Sequence, residues 1–139
     1  MKIKIPSVNQ IIIVNKHVCA ENNQAHQLLD QGKIESALST AFYPGSEPFL
    51  NGGIARLAGV LCFYLTKAHA FLDGNKRTAA LSAILFMNSN GLDLLYPERT
   101  DEQYSELAII INRATASEIS KNDLADWFEL HQVNFGEQN

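Results

Sequence analysis

Between residues 69 and 78 the chain reads His-Ala-Phe-Leu-Asp-Gly-Asn-Lys-Arg-Thr. The stretch gathers an imidazole (His69), a carboxylate (Asp73), an amide (Asn75) and two cations (Lys76 and Arg77) around one glycine, Gly74. The Asp73-Gly74-Asn75 turn starts a helix, and a helix start presents unpaired N–H groups and the positive end of the helix dipole. Gly74 lacks the Cβ that would keep an anion away from the backbone. Lys76 and Arg77 add positive charge at that same end, which is unfavourable by roughly a few tenths of a kcal/mol each unless an anion sits there. The segment therefore reads as a phosphate cradle. Asp73 beside phosphates is a natural ligand for Mg²⁺, which takes one or two carboxylates and phosphate oxygens. His69, just before the turn, can serve as a general base because imidazole titrates near neutrality. Singly, each residue has a plainer role: Asp73 as an N-cap, Asn75 in a turn, Lys76 and Arg77 on a solvated face, His69 at a helix end. Their concurrence points to chemistry. It is not a Walker A loop, because Arg77 separates Lys76 from Thr78 and the glycine spacing is wrong.

The elements that must position this segment are helical. Apolar residues make up 46% of the 139-residue chain and charged residues 19%, which excludes wholesale disorder. A chain of this length buries about 68% of its unfolded surface, so a core without disulfide or metal staples is expected, in one domain spanning residues 1–139. Ser7 with Gln10 forms a capping box ahead of Ile11–Val14, which makes that β-prone run the start of a helix. Further helices are expected over Lys33–Phe42, from Ile54 to about Lys67, and from Asn75 to about Asn90, with Gly91 as the C′ residue. Thr100 with Gln103 is expected to cap a fifth helix reaching about Ala116, and Ser120 a sixth through Trp127 to His131. Tyr43–Gly53, with two prolines and three glycines, is an irregular loop or short hairpin. No stretch alternates over a strand's length. The expected fold is all-α, a compact bundle of about six helices with a short flap.

The charge balance and the cysteines narrow the function classes. A net charge of −4 argues against nucleic-acid binding by an overall basic surface. Cys19 and Cys62 have neither zinc-site nor disulfide-framework spacing and read as small buried hydrophobes in a reducing compartment. His17, His26 and His131 are scattered without metal spacing, and Trp127, Phe128 and the Ile109-Ile110-Ile111 run read as core. The run after the N-terminus is too short for a signal peptide, and the longest apolar stretch, Ile54–Thr66, contains Arg56 and falls short of a membrane span. A cytoplasmic chain with no membrane or nucleic-acid partner is expected.

The segment resembles the signature of the Fic/Doc family, His-x-Phe-x-Asp/Glu-Gly/Ala-Asn-Gly/Lys-Arg, at every specified position. Gly32–Leu38, Phe86–Gly91 and Ala114–Phe128 also read like the Doc branch, so the resemblance covers nearly the whole chain. It implies that His69 deprotonates a Ser or Thr hydroxyl of a protein as that hydroxyl attacks a nucleotide phosphate. Phe71 would anchor the loop, and Asp73 would hold Mg²⁺ bridging two phosphates of ATP. Gly74, Asn75 and Lys76 would line the anion hole, and Arg77 would neutralise phosphate charge in the transition state. The Tyr43–Gly53 segment matches the family's flap, which aligns the target.

Members that transfer AMP usually carry glycine where Lys76 stands and a further arginine where this chain has Ala80. Lys76 therefore favours the Doc outcome, transfer of the γ-phosphate to a protein, with elongation factor Tu as the implied target and arrested translation as the result. AMP transfer is the alternative. The family's inhibitory helix, Ser/Thr-x-x-x-Glu-Gly/Asn, has its nearest match in His17–Asn22, which fails at the first position. Glu21 thus reads as an exposed helix end, and inhibition is expected in trans from a small antitoxin that folds on binding. A non-catalytic nucleotide- or partner-binding module is a competing class. A nuclease lacks a second carboxylate beside Asp73.

Overall fold

In a computed structural model, residues 3–43, 51–96 and 105–136 are described. Among them run six helices and two short strands: α1 (Val8–Glu21), α2 (Gln31–Phe42), α3 (Ile54–Ala68), α4 (Asn75–Ser89), β1 (Leu92–Leu94), α5 (Glu106–Thr115), α6 (Lys121–Leu130) and β2 (Gln132–Asn134). The fold is an all-α bundle. Among the described residues no helix is long and apolar enough to cross a membrane.

Local signals set most boundaries. The Ser7–Gln10 capping box forms in both directions, with Gln10 N donating to Ser7 Oγ at 3.2 Å and Ser7 N to Gln10 Oε1 at 2.7 Å. Two first-turn donors are thereby satisfied, and the β-propensity of Ile11–Val14 is overridden. Ser120 and Asp123 repeat the device at α6. Gly91 takes a φ of 86°, as expected of the residue after α4. The Thr100–Gln103 cap lies outside the described residues. The fifth helix is instead capped at Ser105, whose Oγ accepts from Ala108 N, so it begins at Glu106. Most of the Tyr43–Gly53 flap also lies outside the described residues. Its far end is tied down where Asn51 Nδ2 donates to Ala41 O at 2.9 Å, occupying a free carbonyl at the end of α2.

α3 is the axle of the bundle, packed against α2, α4, α5 and α6. Leu57, Ala58, Val60, Leu61 and Cys62 are buried on nearly all its circumference. Arg56 is half-buried, and its guanidinium pairs with Asp126 at 2.6 Å and Glu129 at 3.3 Å on α6. Trp127 and Phe128 are core, as expected. Of the Ile109-Ile110-Ile111 run only Ile111 is buried, while Ile109 is 55% exposed, because a helix turns successive residues by about 100° and cannot bury three in a row at a surface. β1 and β2 pair antiparallel with Leu92 opposite Asn134 and Leu94 opposite Gln132. Strands of three residues are too short to show alternation in sequence.

α3 and α6 approach closely at Gly59. A Cβ there would lie 2.7 Å from Ala125 Cα and 3.0 Å from Leu124 O, both backbone atoms that cannot swing away. Gly59→Ala should therefore destabilise the protein by about 1–3 kcal/mol despite the better helix propensity of alanine, as measured by chemical denaturation.

Candidate functional site

The candidate segment spans the end of α3, a short loop and the start of α4. His69 terminates α3 in the left-handed conformation (φ 50°, ψ 44°), and its side chain reaches solvent. A non-glycine residue in this region is strained by about 1 kcal/mol or more. The strain places an imidazole where helices commonly place glycine. Ala70 and Phe71 then turn inward and are buried, while Leu72 is half exposed.

Three parts of the chain hold this loop. The connector between α1 and α2 runs antiparallel beside it: Leu29 N donates to Ala70 O at 2.8 Å and Leu72 N donates to Gln27 O at 3.0 Å, around a Leu28–Phe71 bridge. Asn75 closes the loop on itself, its Oδ1 accepting from Phe71 N at 3.1 Å and its Nδ2 donating to Phe71 O at 2.8 Å. From α1, Asn15 Nδ2 donates to Asp73 O at 2.9 Å and to Thr78 Oγ1 at 3.0 Å. Asn15 and Cys19 are fully buried. Burial, with the Asp73 carboxylate nearby, pushes the Cys19 thiol up, so it stays protonated, with Asn15 Oδ1 and Asp73 O each 3.6 Å from its sulfur.

Gly74 has a φ of 76°, and a Cβ there would come within 3.2 Å of Asn15, Val18 and Cys19. The missing Cβ would thus face α1. The glycine seats the α4 start against α1. α4, like α3 at Gly53, begins without a side-chain cap or an acidic residue in its first turn, whereas Ser, Asp, Ser and Ser cap α1, α2, α5 and α6. Its first N–H groups and the dipole's positive end remain available.

Lys76 and Arg77 are exposed on the first turn of α4. Lys76 Nζ donates to Asn112 Oδ1 at 2.9 Å, so α5 holds the ammonium. Both cations line a cleft of about 460 Å³ between α1, α4 and α5, with Leu81, Ile84, Leu107 and Ile111 on its floor and His17 and Glu21 on the opposite rim. Glu21 is exposed and pairs with His17 at 3.2 Å, as its reading as a helix end anticipated. Asp73 is half-buried. Among the described residues no group of three or more His, Cys, Asp or Glu is placed to hold a metal, so an ion at Asp73 would draw its other ligands from phosphate oxygens and water, the habit of Mg²⁺.

The structure gathers Phe71, Asp73, Gly74 and Asn75 into one braced loop, with His69 at its entrance and Lys76 and Arg77 at its exit. Sequence reasoning missed Asn15, His26 and Asn112. Asn15 had a signal: it falls on the stripe of Ile11, Val14 and Val18, a polar residue on a face that must be buried.

A helix start without a side-chain cap thus lies beside an exposed imidazole, a half-buried carboxylate and two exposed cations. A sequence model of the Fic/DOC family matches residues 7–87, which is more than half of the chain and includes the whole segment. The chain belongs to the Fic/DOC family. The family uses ATP, generally with a divalent metal, to transfer nucleotide-derived groups to protein hydroxyls, and its members act as enzymes or toxins. No curated protein matches the chain.

His69→Gly should relieve the left-handed strain. A gain of up to about 1 kcal/mol in unfolding free energy is expected, and a loss on this substitution would show that the imidazole is a structural requirement of the turn.

Proposed function

We propose that the chain is a Doc-like toxin that transfers the γ-phosphate of ATP to a Ser or Thr hydroxyl of a protein. The observation that carries the reading is the start of α4 at Gly74, which no side chain caps and which has two cations in its first turn. His69 accepts the proton of the target hydroxyl as its oxygen attacks the γ-phosphorus, and ADP leaves. The N–H groups at Gly74, Asn75 and Lys76 bind the phosphate oxygens, and Arg77 offsets the charge spread over the transferring group. Asp73 would hold Mg²⁺, which would supply charge neutralisation to the phosphates. Phe71 fixes the loop from within the core.

Transfer of phosphate is favoured over transfer of AMP by the residues at positions 76 and 80. Lys76, with its ammonium drawn to Asn112, and Ala80, which offers no second cation on the cleft, leave less to grip an extended triphosphate than a glycine and an arginine would. The implied target is elongation factor Tu, and the outcome is arrested translation. The apolar floor of the α1–α4–α5 cleft, beside Arg77, suits an amphipathic segment of a small antitoxin that folds as it docks.

ATP labelled at the α or the γ position, incubated with the protein and elongation factor Tu, distinguishes the reactions. Label from the γ position should appear on the target, and His69→Ala should lower its rate by about 10²–10⁴. Label retained only from the α position would replace the kinase reading with AMP transfer. Growth arrest on expression should be relieved by His69→Ala, and equal toxicity of that variant would favour a non-catalytic binding module.

A further inference from the structure

We infer that Asn15, oriented by His26, is a positioning residue that sets the shape of the Asp73–Lys76 turn and through it the rate of transfer. This rests on the reaction proposed above for that turn. Neither residue lies in the motif, and Asn15 is separated from Asp73 by 58 positions in the chain.

The orientation of the Asn15 amide follows from its partners. Asp73 O is a carbonyl and can only accept, so the group facing it at 2.9 Å must be the Nδ2 donor. The second Nδ2 proton goes to Thr78 Oγ1 at 3.0 Å, on the first turns of α4. Oδ1 is then an acceptor, and His26 Nδ1, 2.7 Å away, must donate to it. That bond fixes the proton of the imidazole on Nδ1. His26 is only partly buried, and its ring also lies against Phe71, with ring centroids 6.2 Å apart. One imidazole therefore touches both the loop's apolar anchor and the amide that holds the turn.

A buried asparagine with its amide protons and carbonyl oxygen all engaged is a rigid part, because rotating it would break three hydrogen bonds at a position closed to solvent. The two groups that Nδ2 bridges bracket Gly74–Arg77. A change of about 1 Å in the carbonyl of Asp73 would tilt the following N–H groups and move the carboxylate on the same residue. Misplacements of that size lower enzymatic rates by about a hundredfold. Cys19 lies beside the same carbonyl and fills the space around it, but its weak donor at 3.6 Å cannot replace the amide.

The test uses the full chain with three substitutions. Asn15→Asp keeps the shape and an acceptor for His26 but removes both donors. Asn15→Leu removes all three bonds. His26→Phe keeps the ring against Phe71 and removes only the N–H that orients Asn15. The first readout is hydrogen exchange at the Leu72 and Thr78 amides, which are bonded to Gln27 O and Gly74 O, compared with the amides of α3. The second is phosphate transfer, resolved into kcat and KM for the protein target.

In Asn15→Asp and His26→Phe, exchange at Leu72 and Thr78 should rise at least about tenfold while α3 keeps its protection. In the same variants kcat should fall by about ten- to a hundredfold with KM little changed. Parental exchange at those two amides in His26→Phe and Asn15→Asp would overturn the inference, as would parental kcat in both. Should Asn15→Leu fail to fold, the other two variants carry the decision. Loop exchange reads the role of Asn15 even where the parent protein transfers nothing, a result that counts against the reaction alone.

Discussion

A helix N-terminus can bind an anion only while nothing in the protein satisfies its N–H groups first, and the rest of this structure answers to that constraint. Ordinarily a Ser or Asp would cap α4, and the chain uses such caps at four other helices. At Gly74 it uses none. An uncapped start is loose unless the turn before it is held by its other polar groups. Here the carbonyls of Ala70, Phe71 and Asp73 are taken by the α1–α2 connector, by Asn75 and by Asn15. The carbonyl side of the turn is fastened and the amide side of α4 is left open. That asymmetry is what a phosphate-binding turn requires.

The fastening explains features that have no value for stability alone. His69 occupies a strained left-handed position. Lys76 and Arg77 oppose the dipole of the helix that carries them. Asn15 sits in a core where leucine would remove more apolar surface from water. The surrounding bundle offsets these penalties. α3 packs against four other helices, and its junction with α6 is tight at Gly59.

How much of this was legible in the sequence depended on whether the deciding interaction was local. Capping boxes at Ser7 and Ser120 act over three residues, and both were readable. The motif itself was readable because its chemistry is contiguous from His69 to Arg77. The start of α5 at Glu106 follows from Ser105, whose extended backbone and capping hydroxyl mark the boundary. β1 and β2 pair across α5 and α6, and three-residue strands leave no pattern. The direction in which Gly74 needs its missing Cβ was invisible, since the crowding comes from Asn15, Val18 and Cys19 on another helix. Lys76 meeting Asn112 is likewise a contact between distant helices.

The bracing of the loop also bears on how the chain comes to possess its site during synthesis. α1 and the connector that pairs with Ala70–Leu72 leave the ribosome before the motif does. Their partners do not yet exist, so neither can nucleate the turn alone. α6, made well after the motif, then closes over α3 through Gly59, Arg56 and their neighbours. A nascent chain halted before residue 121 would hold every motif residue yet lack the helix that seats the one bearing His69. The loop thus takes its supports from chain made before the motif and from chain made after it, so its geometry is finished only once α6 has emerged and folded back.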